Sequence, residues 1–182
     1  MTTLHEDAIA VLSAWTPPTP EAEATRRRFL EFVIPDPSTV WRDHAGGHVT
    51  ASALVVDAAA EKVLLCLHGR IQRWVQLGGH CEPDDATLAS AALREATEES
   101  GIAGLRISEA PIGLDVHHVH CSGGPSLHYD VRYAALAPAG AVEMVSAESR
   151  ALGWFAPDAL PDPLADATEN LVAPALAWAK RG

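Results

Sequence analysis

The sequence predicts an α/β fold, in which a mixed β-sheet is covered by helices on both faces and preceded by a helical extension. Short runs of apolar and β-branched residues alternate with stretches of helical periodicity along most of the chain. Elements that alternate in this way form a sheet with helices packed on it. The first strand signal comes near His48, so we assign residues 1–46 to a helical extension and residues 47–182 to the main domain.

Two helices are expected in the extension. Apolar residues recur at helical spacing over residues 2–15, and a proline-rich stretch follows at 17–20. Pro20 suits the first turn of a second helix, which has acidic residues near its start and the arginines 26–28 further along. Pro35 ends this helix, because proline cannot continue the hydrogen-bond pattern.

The main domain carries several strand candidates and two helix candidates. The strand candidates are residues 48–57, 62–68, 74–77, 105–120, 127–136 and 152–155. We expect the glycine pair at 78–79 to end the third of them. Helical periodicity covers residues 86–100 and residues 164–180, and Pro174 is expected to interrupt or kink the second of these helices.

Charge and cysteine content narrow the function. The chain has 13 Lys and Arg against 24 Asp and Glu, a formal charge of -11, so a DNA or RNA polymer would be repelled. A small anionic substrate would need a local cation, which favours a bound metal. Three cysteines without paired spacing suit a reducing cytosol, and neither a signal peptide nor a membrane-length apolar run is recognisable. We therefore expect a cytoplasmic protein without nucleic-acid or membrane partners.

Three glutamates project from one side of the helix predicted over 86–100. Glu95 lies three residues before Glu98 and four before Glu99, so the three carboxylates share a face within about a turn. Like charges at this spacing repel, and Arg94, four residues before Glu98, can offset part of that repulsion. Clustered carboxylates are the hard-oxygen ligands that suit Mg²⁺ or Mn²⁺ next to phosphates.

A solvated acidic helix face is the simpler interpretation of these glutamates. Two neighbouring features favour the metal site instead: the glycine pair upstream, where a backbone can approach a ligand closely, and Gly101-Ile102 directly after the helix. Asp84 and Asp85 lie in the intervening loop, where a helix N-cap is wanted.

The segment from Gly79 to Ile102 resembles the Nudix box. That pattern reads Gly, five residues, Glu, seven residues, Arg-Glu, an aliphatic residue, any residue, Glu-Glu, any residue, Gly and an aliphatic residue. The matching residues here are Gly79, Arg94, Glu95, Glu98, Glu99, Gly101 and Ile102. Asp85 stands where the pattern has its first Glu, eight residues separate it from Arg94, and Ala96 replaces a larger aliphatic residue. We interpret this as one residue inserted in the loop before the helix, which leaves the roles of Asp84 and Asp85 open.

The resemblance implies a Nudix-type α/β/α sandwich with a mixed β-sheet. It further implies a hydrolase that uses Mg²⁺ or Mn²⁺ to cleave a phosphoanhydride (pyrophosphate) bond in a nucleoside diphosphate linked to another moiety. The partner would be a small molecule of that class.

The resemblance also assigns roles within the box. Glu95, Glu98 and Glu99 would bind the metal together with a backbone carbonyl near Gly79. Glu98 or Glu99 would be the base or the water-positioning group, and Arg94 would complete the catalytic set by orienting a glutamate.

An additional acid is expected outside the helix. Some relatives recruit a further glutamate from a later loop, for which Glu148 is better placed than Glu143, and Asp85 is the other candidate.

The predicted hairpin between 105–120 and 127–136 is rich in histidine. Solvated or hydrogen-bonded strand residues are the simplest interpretation of these side chains. At strand period two, His128 and Arg132 share a face, so they are candidates for contact with substrate phosphate or base. Trp74, close to the glycine turn, is a third candidate for substrate binding. A zinc site is the alternative for this hairpin, built from His117, His120, Cys121 and His128, although their spacing matches no closed zinc motif.

Two other functions stay open. An enzyme similar to isopentenyl diphosphate isomerase would need a catalytic cysteine, for which Cys66 and Cys81 are candidates. A non-catalytic Nudix-like module would bind a nucleotide without turnover. The sequence also leaves open whether the N-terminal helices cover the pocket or form a homodimer surface.

Overall fold

Within residues 2–121, 124–144 and 149–181, which the computed structural model describes, the chain forms four α-helices and eight strands. The helices are α1 (Leu4–Ala14), α2 (Pro20–Val33), α3 (Leu88–Ser100) and α4 (Val172–Ala179). The strands are β1 (His48–Val56), β2 (Val63–His68), β3 (Trp74–Val75), β4 (Leu77–His80), β5 (Arg106–Ile107), β6 (Gly113–Cys121), β7 (Gly124–Leu136) and β8 (Ser149–Phe155). None of these helices is long and apolar enough to cross a lipid bilayer.

All eight strands belong to one mixed sheet with β1 near its centre. Strand β1 pairs with β2 and β4 in the antiparallel direction and with β7 in the parallel direction. Strand β2 also pairs with β3 and β8, and β7 also pairs with β5 and β6. The parallel register runs without a break from His48 opposite His128 to Val56 opposite Leu136. This register decides which side chains of distant segments meet.

The residues of β1 divide between two hydrophobic cores on opposite faces of the sheet. Val49, Ala51 and Val55 pack with α1, α2 and α3. Leu54 and Val56 pack with α4 on the other face. The division follows from the alternation of side chains along a strand. The expectation of a sheet covered by helices on both faces is therefore confirmed.

The N-terminal helices share the larger of the two cores. The Phe29 ring is fully buried and meets Tyr129 of β7 edge-on, with ring centroids 5.3 Å apart, while Phe32 stacks on the same tyrosine at 3.9 Å. An Asp7 carboxylate oxygen accepts a hydrogen bond of 2.8 Å from the backbone N–H of Leu88, the first residue of α3. The extension thus contacts both the sheet and the helix with the glutamates. The boundary between extension and main domain stays a prediction.

Several predicted elements are confirmed. Helix α1 lies within the predicted range, and α2 begins at Pro20 as expected. Gly101 ends α3. Strands β6 and β7 form the predicted hairpin, in which His117 lies opposite His128.

Two predictions about strands are wrong. The glycine pair does not end a strand, because β4 runs through both glycines to His80 and pairs with β1 along its length. The strand expected over 105–120 is broken into β5 and β6. Pro111 lies in the gap, where its missing N–H cannot join the ladder.

Two predictions about helix starts are also wrong. The N-cap of α3 is Thr87, whose side chain accepts from the N–H of Ser90, and not Asp84 or Asp85. The last helix begins at Val172 instead of residue 164. Pro174 therefore falls in the first turn of this helix, where the missing N–H of a proline removes no hydrogen bond within the helix.

We expect Phe29→Ala to lower the free energy of unfolding by about 3–5 kcal/mol, because the substitution leaves a cavity in the core that α2 shares with the sheet. Urea denaturation followed by circular dichroism measures the change. Glu31→Ala, an exposed position on the same helix, is the control and should change stability by no more than about 0.5 kcal/mol. Equal stabilities for the two variants would contradict a shared core.

Candidate active site

Helix α3 lies directly against the glycines of β4. Gly78 has a φ of +154°, and a Cβ at this position would lie 2.3 Å from the Cβ of Ser52. The Gly78 N–H donates a hydrogen bond of 2.9 Å to a carboxylate oxygen of Glu99. A Cβ on Gly79 would lie 2.9 Å from the carboxylate of Glu95. The two glycines thus let the strand backbone approach two of the predicted metal ligands.

Arg94 joins the loop before α3 to the glutamates on the helix. Its guanidinium binds both carboxylate oxygens of Asp85, at 3.1 and 2.9 Å, and donates to the backbone carbonyl of His80 at 2.8 Å. It also donates to Glu95 at 3.1 Å and to Glu98 at 3.3 Å. The hydrogen bonds to Asp85 and the surrounding negative charge raise the pKa of Arg94 above its usual value. The arginine therefore stays charged and offsets part of the repulsion between the carboxylates.

Of the two loop aspartates, the one that meets the arginine is Asp85. Its side chain is only 5% exposed, and it also accepts a hydrogen bond of 2.8 Å from the N–H of Glu82. Asp84 is exposed. The extra loop residue before the helix thus leaves an aspartate within reach of Arg94.

The three glutamates differ in how they are held. The Glu95 side chain is 17% exposed and lies against Gly79, and Glu99 is partly buried against Gly78. The Glu98 side chain is 61% exposed. Among the residues that the structure describes, the three glutamates do not bring ligand atoms within 4.8 Å of one another. Mutual repulsion between the carboxylates favours such a spread.

The donor chemistry nevertheless fits a hard divalent cation. Mg²⁺ and Mn²⁺ bind oxygen donors, and the carboxylates here lie beside the glycine backbone of β4. The absence of a Cβ on Gly79 is what leaves room for the carboxylate of Glu95 at this strand.

Arg132, expected to contact substrate, is enclosed by protein groups. Its side chain is 5% exposed and donates to Asp130 at 2.8 Å, to Asp115 at 2.9 Å and to the carbonyl of Ala167 at 3.4 Å. Asp130 in turn accepts from three neutral side chains, Thr50, Ser52 and Gln76. The arginine therefore belongs to a buried polar network on the sheet.

The other predicted residues lie apart from the glycine strand or beyond the described residues. Trp74 packs edge-on against Phe155, with centroids 4.9 Å apart, beside the core that α4 covers. Glu143 accepts a hydrogen bond of 2.8 Å from the indole N–H of Trp154. Glu148 lies outside the described residues, so its role as an additional acid stays a prediction.

His128 meets two histidines that the sequence analysis did not single out. Its ring centroid lies 4.7 Å from that of His48 and 5.3 Å from that of His80. Burial lowers the pKa of His80 to about 4 and that of His128 to about 3, so both rings are neutral at pH 7. No spacing along the chain indicates this meeting, because it depends on the strand order β4–β1–β7.

The zinc site predicted from the sequence has other partners for His128. A ring nitrogen of His117 lies 2.8 Å from a carboxylate oxygen of Asp115, and its ring lies 5.6 Å from that of His128. The side chains of His120 and Cys121 lie outside the described part of the structure.

The two cysteines considered as nucleophiles are both buried. The thiol of Cys81 lies 3.9 Å from the carbonyl of Val49, and burial raises its pKa to about 12. Cys66 is buried in β2. Because the thiolate is the reactive form, neither setting supports a catalytic cysteine of the kind that the isomerase alternative needs.

Comparisons with known proteins found similarity to one family model and to several solved structures. A family model described as NUDIX domain matches residues 24–178. A NUDIX-family hydrolase from Clostridium perfringens is 22% identical, with a TM-score of 0.57 over 74% of this chain and 97% of that chain. A MutT NUDIX hydrolase from Burkholderia pseudomallei is 27% identical, with a TM-score of 0.54 over 69% and 95%. The NUDIX domain of NrtR from Shewanella oneidensis, solved with ADP ribose, is 22% identical, with a TM-score of 0.57 over 81% and 96%. A search among curated proteins found no match.

Replacing Asp85 should destabilise the fold, whereas replacing Asp84 should not. We expect Asp85→Ala to lower the free energy of unfolding by about 1.5–3 kcal/mol, because it removes charged hydrogen bonds from Arg94. Asp84→Ala, at an exposed neighbour, should stay within about 0.5 kcal/mol of the parent. Urea denaturation of both variants provides the comparison. A larger loss of stability for Asp84→Ala would indicate that Asp84, and not Asp85, binds Arg94.

Proposed function

The chain belongs to the NUDIX domain family, and on that premise we propose that it is a Mg²⁺- or Mn²⁺-dependent hydrolase that cleaves a phosphoanhydride bond in a nucleoside diphosphate derivative. The observation that carries this proposal is the contact between α3 and β4. It holds Glu95 and Glu99 against the glycine pair, with Arg94 beside them.

We assign the metal to Glu95, Glu98 and Glu99 together with the backbone carbonyl of Gly79. All are oxygen donors, which hard divalent cations prefer. A cation here counters the repulsion that a chain of formal charge -11 exerts on a diphosphate. When bound, it supplies charge neutralisation and polarises the phosphorus centre.

The hydrolysis adds one water molecule across the bridge between two phosphorus atoms. The water oxygen forms a bond to one phosphorus, the bond from that phosphorus to the bridging oxygen breaks, and a water proton passes to a carboxylate. We assign this carboxylate to Glu98, with Glu99 as the alternative, because Glu98 is open to solvent while Glu99 is held by the N–H of Gly78. A positioned base contributes about 10²–10⁴-fold to such a reaction.

Arg94 acts in this proposal as a positioning residue. Its donors are directed to Asp85, the carbonyl of His80, Glu95 and Glu98. It therefore fixes the direction of two glutamates relative to the loop. Trp74 remains a candidate for contact with the nucleoside portion of the substrate, and Glu148 a candidate for an additional acid.

Glu98→Gln should lower kcat by about 10²–10⁴-fold, since the amide cannot accept the proton. Release of phosphate and nucleotide over a panel of nucleoside diphosphate derivatives, with Mg²⁺, Mn²⁺ and EDTA arms, measures the effect. Glu31→Gln, the same change on an exposed helix position, is the control.

Two results of this assay would contradict the proposal. One is full activity of Glu98→Gln, or of the parent in EDTA. The other, which needs a calorimetric binding titration beside the release assay, is saturable nucleotide binding without turnover under any metal condition, which would favour the non-catalytic module.

Gly79→Ala should raise the Mg²⁺ concentration needed for half-maximal activity and leave the fold intact. The new methyl group would lie 2.9 Å from the carboxylate of Glu95, a flexible side chain that can move away at small cost. Activity titrated with Mg²⁺, alongside the melting temperature, separates the two effects. Gly46→Ala, another glycine with an ordinary φ, is the control. An unchanged Mg²⁺ requirement would remove Glu95 from the metal site.

A further inference from the structure

Three histidines meet on the face of the sheet opposite α3. They are His48 of β1, His80 of β4 and His128 of β7, here called the histidine cluster. Gly79 faces the helix, so His80, the next residue of β4, faces the other way. His48 lies directly opposite His128 in the parallel register. Three neighbouring strands thus contribute one imidazole each.

The spacing of the ring nitrogens suits a shared ion. One nitrogen from each ring lies within 4.8 Å of the other two. Zinc–nitrogen bonds are about 2.0–2.1 Å, which places two nitrogens on one tetrahedral ion about 3.3–3.4 Å apart. Side-chain rotation has to bring the nitrogens up to about 1.5 Å closer to reach that distance.

The buried ring of His48 lacks the hydrogen bonds that such a group normally makes. His48 is 1% exposed, and within the described part of the chain neither of its ring nitrogens has a hydrogen-bond partner. The buried Nε2 of His80 is also without one among these residues. Buried polar atoms are nearly always satisfied by protein, water or a bound ligand. The cluster therefore presents nitrogen atoms that require a further partner.

We propose that His48, His80 and His128 bind a divalent transition-metal ion, with Zn²⁺ as its representative. Imidazole nitrogen favours zinc, cobalt, nickel and copper, whereas Mg²⁺ prefers oxygen. The site is therefore chemically distinct from the glutamates of α3. Three protein ligands leave a fourth position for water or an anion.

The ion would connect strands that are distant in sequence. Residues 48, 80 and 128 lie on β1, β4 and β7, so one ion fixes the position of β4 relative to its neighbour β1 and to β7 beyond it. Strand β4 also carries Gly78 and Gly79 on its path past α3. The proposed ion stabilises the strand from the face that the glutamates do not use, and it does not depend on the hydrolase activity.

The test uses the full chain, stripped of metal with EDTA and then dialysed into buffer with excess Mg²⁺. Calorimetric titration with Zn²⁺ should show one ion bound per chain, and the melting temperature should rise. Co²⁺ should give the strong visible absorption of a tetrahedral nitrogen site. Loss of even an outer partner of a metal ligand costs about 10–100-fold in affinity, so His80→Gln and His128→Gln should each lose at least about 100-fold.

Two control variants locate the ion. His118→Gln changes an exposed histidine on β6 and should keep the parent affinity. Glu98→Gln should also keep it, which separates this site from the glutamates. Loss of Zn²⁺ binding in Glu98→Gln alone would overturn the histidine site and leave the proposed hydrolase standing.

Further outcomes would overturn the proposal. They are absence of stoichiometric uptake by the parent protein and equal affinity in the His80→Gln variant. If the variants fail to fold, the imidazole NMR resonances of the parent protein test the site instead. Zn²⁺ should shift the resonances of the histidine cluster and leave that of His118 in place. Unshifted cluster resonances would reject the site.

Discussion

The packing of α3 against the two glycines of β4 is the constraint on which the rest of the candidate site depends. Gly78 must be glycine for two reasons at once, its positive φ and its contact with Ser52 of the neighbouring strand. The same backbone N–H then binds Glu99. Arg94 completes the arrangement, because Asp85, Glu95 and Glu98 would otherwise repel one another around the end of the strand. The geometry of the candidate site thus depends on tight packing between one helix and one strand.

Helix α1 contributes to the position of α3 through a contact between residues 81 positions apart in the sequence. Asp7 accepts from the N–H of Leu88, one of the donors that have no partner inside a helix. A carboxylate at a helix N-terminus also interacts favourably with the helix dipole. Together with Phe29 and Phe32 on Tyr129, this contact makes α1 and α2 a support for the glutamate helix.

Local features of the site could be predicted from the sequence because they depend on residues a few positions apart. The helical spacing of Glu95, Glu98 and Glu99 and the end of α3 at Gly101 are of this kind. The sequence does not decide the N-cap, because Asp and Thr are both favourable cap residues, and the structure uses the aspartate for Arg94 instead.

Features that rest on strand order could not be predicted in this way. His48 and His80 are 32 residues apart in the sequence, and His80 and His128 are 48 apart. Only the pairing of β1 with both β4 and β7 brings the three histidines together. The same holds for residues before α4. Thr168 there donates to Gln76, and the backbone N–H of Ala165 to the carbonyl of Trp74, so these residues are held by other segments and the α-helix begins only at Val172.

The pairing of Asp85 with Arg94 bears on how proteins of this family are identified. An aspartate is one methylene shorter than a glutamate, and the loop before α3 is one residue longer than the Nudix box allows. Backbone length here substitutes for side-chain length, and the carboxylate still reaches the guanidinium. A sequence-pattern search that fixes both the acidic residue type and the number of residues before the arginine would reject this chain. A search for a carboxylate that can reach the helix arginine would retain it and others with the same exchange.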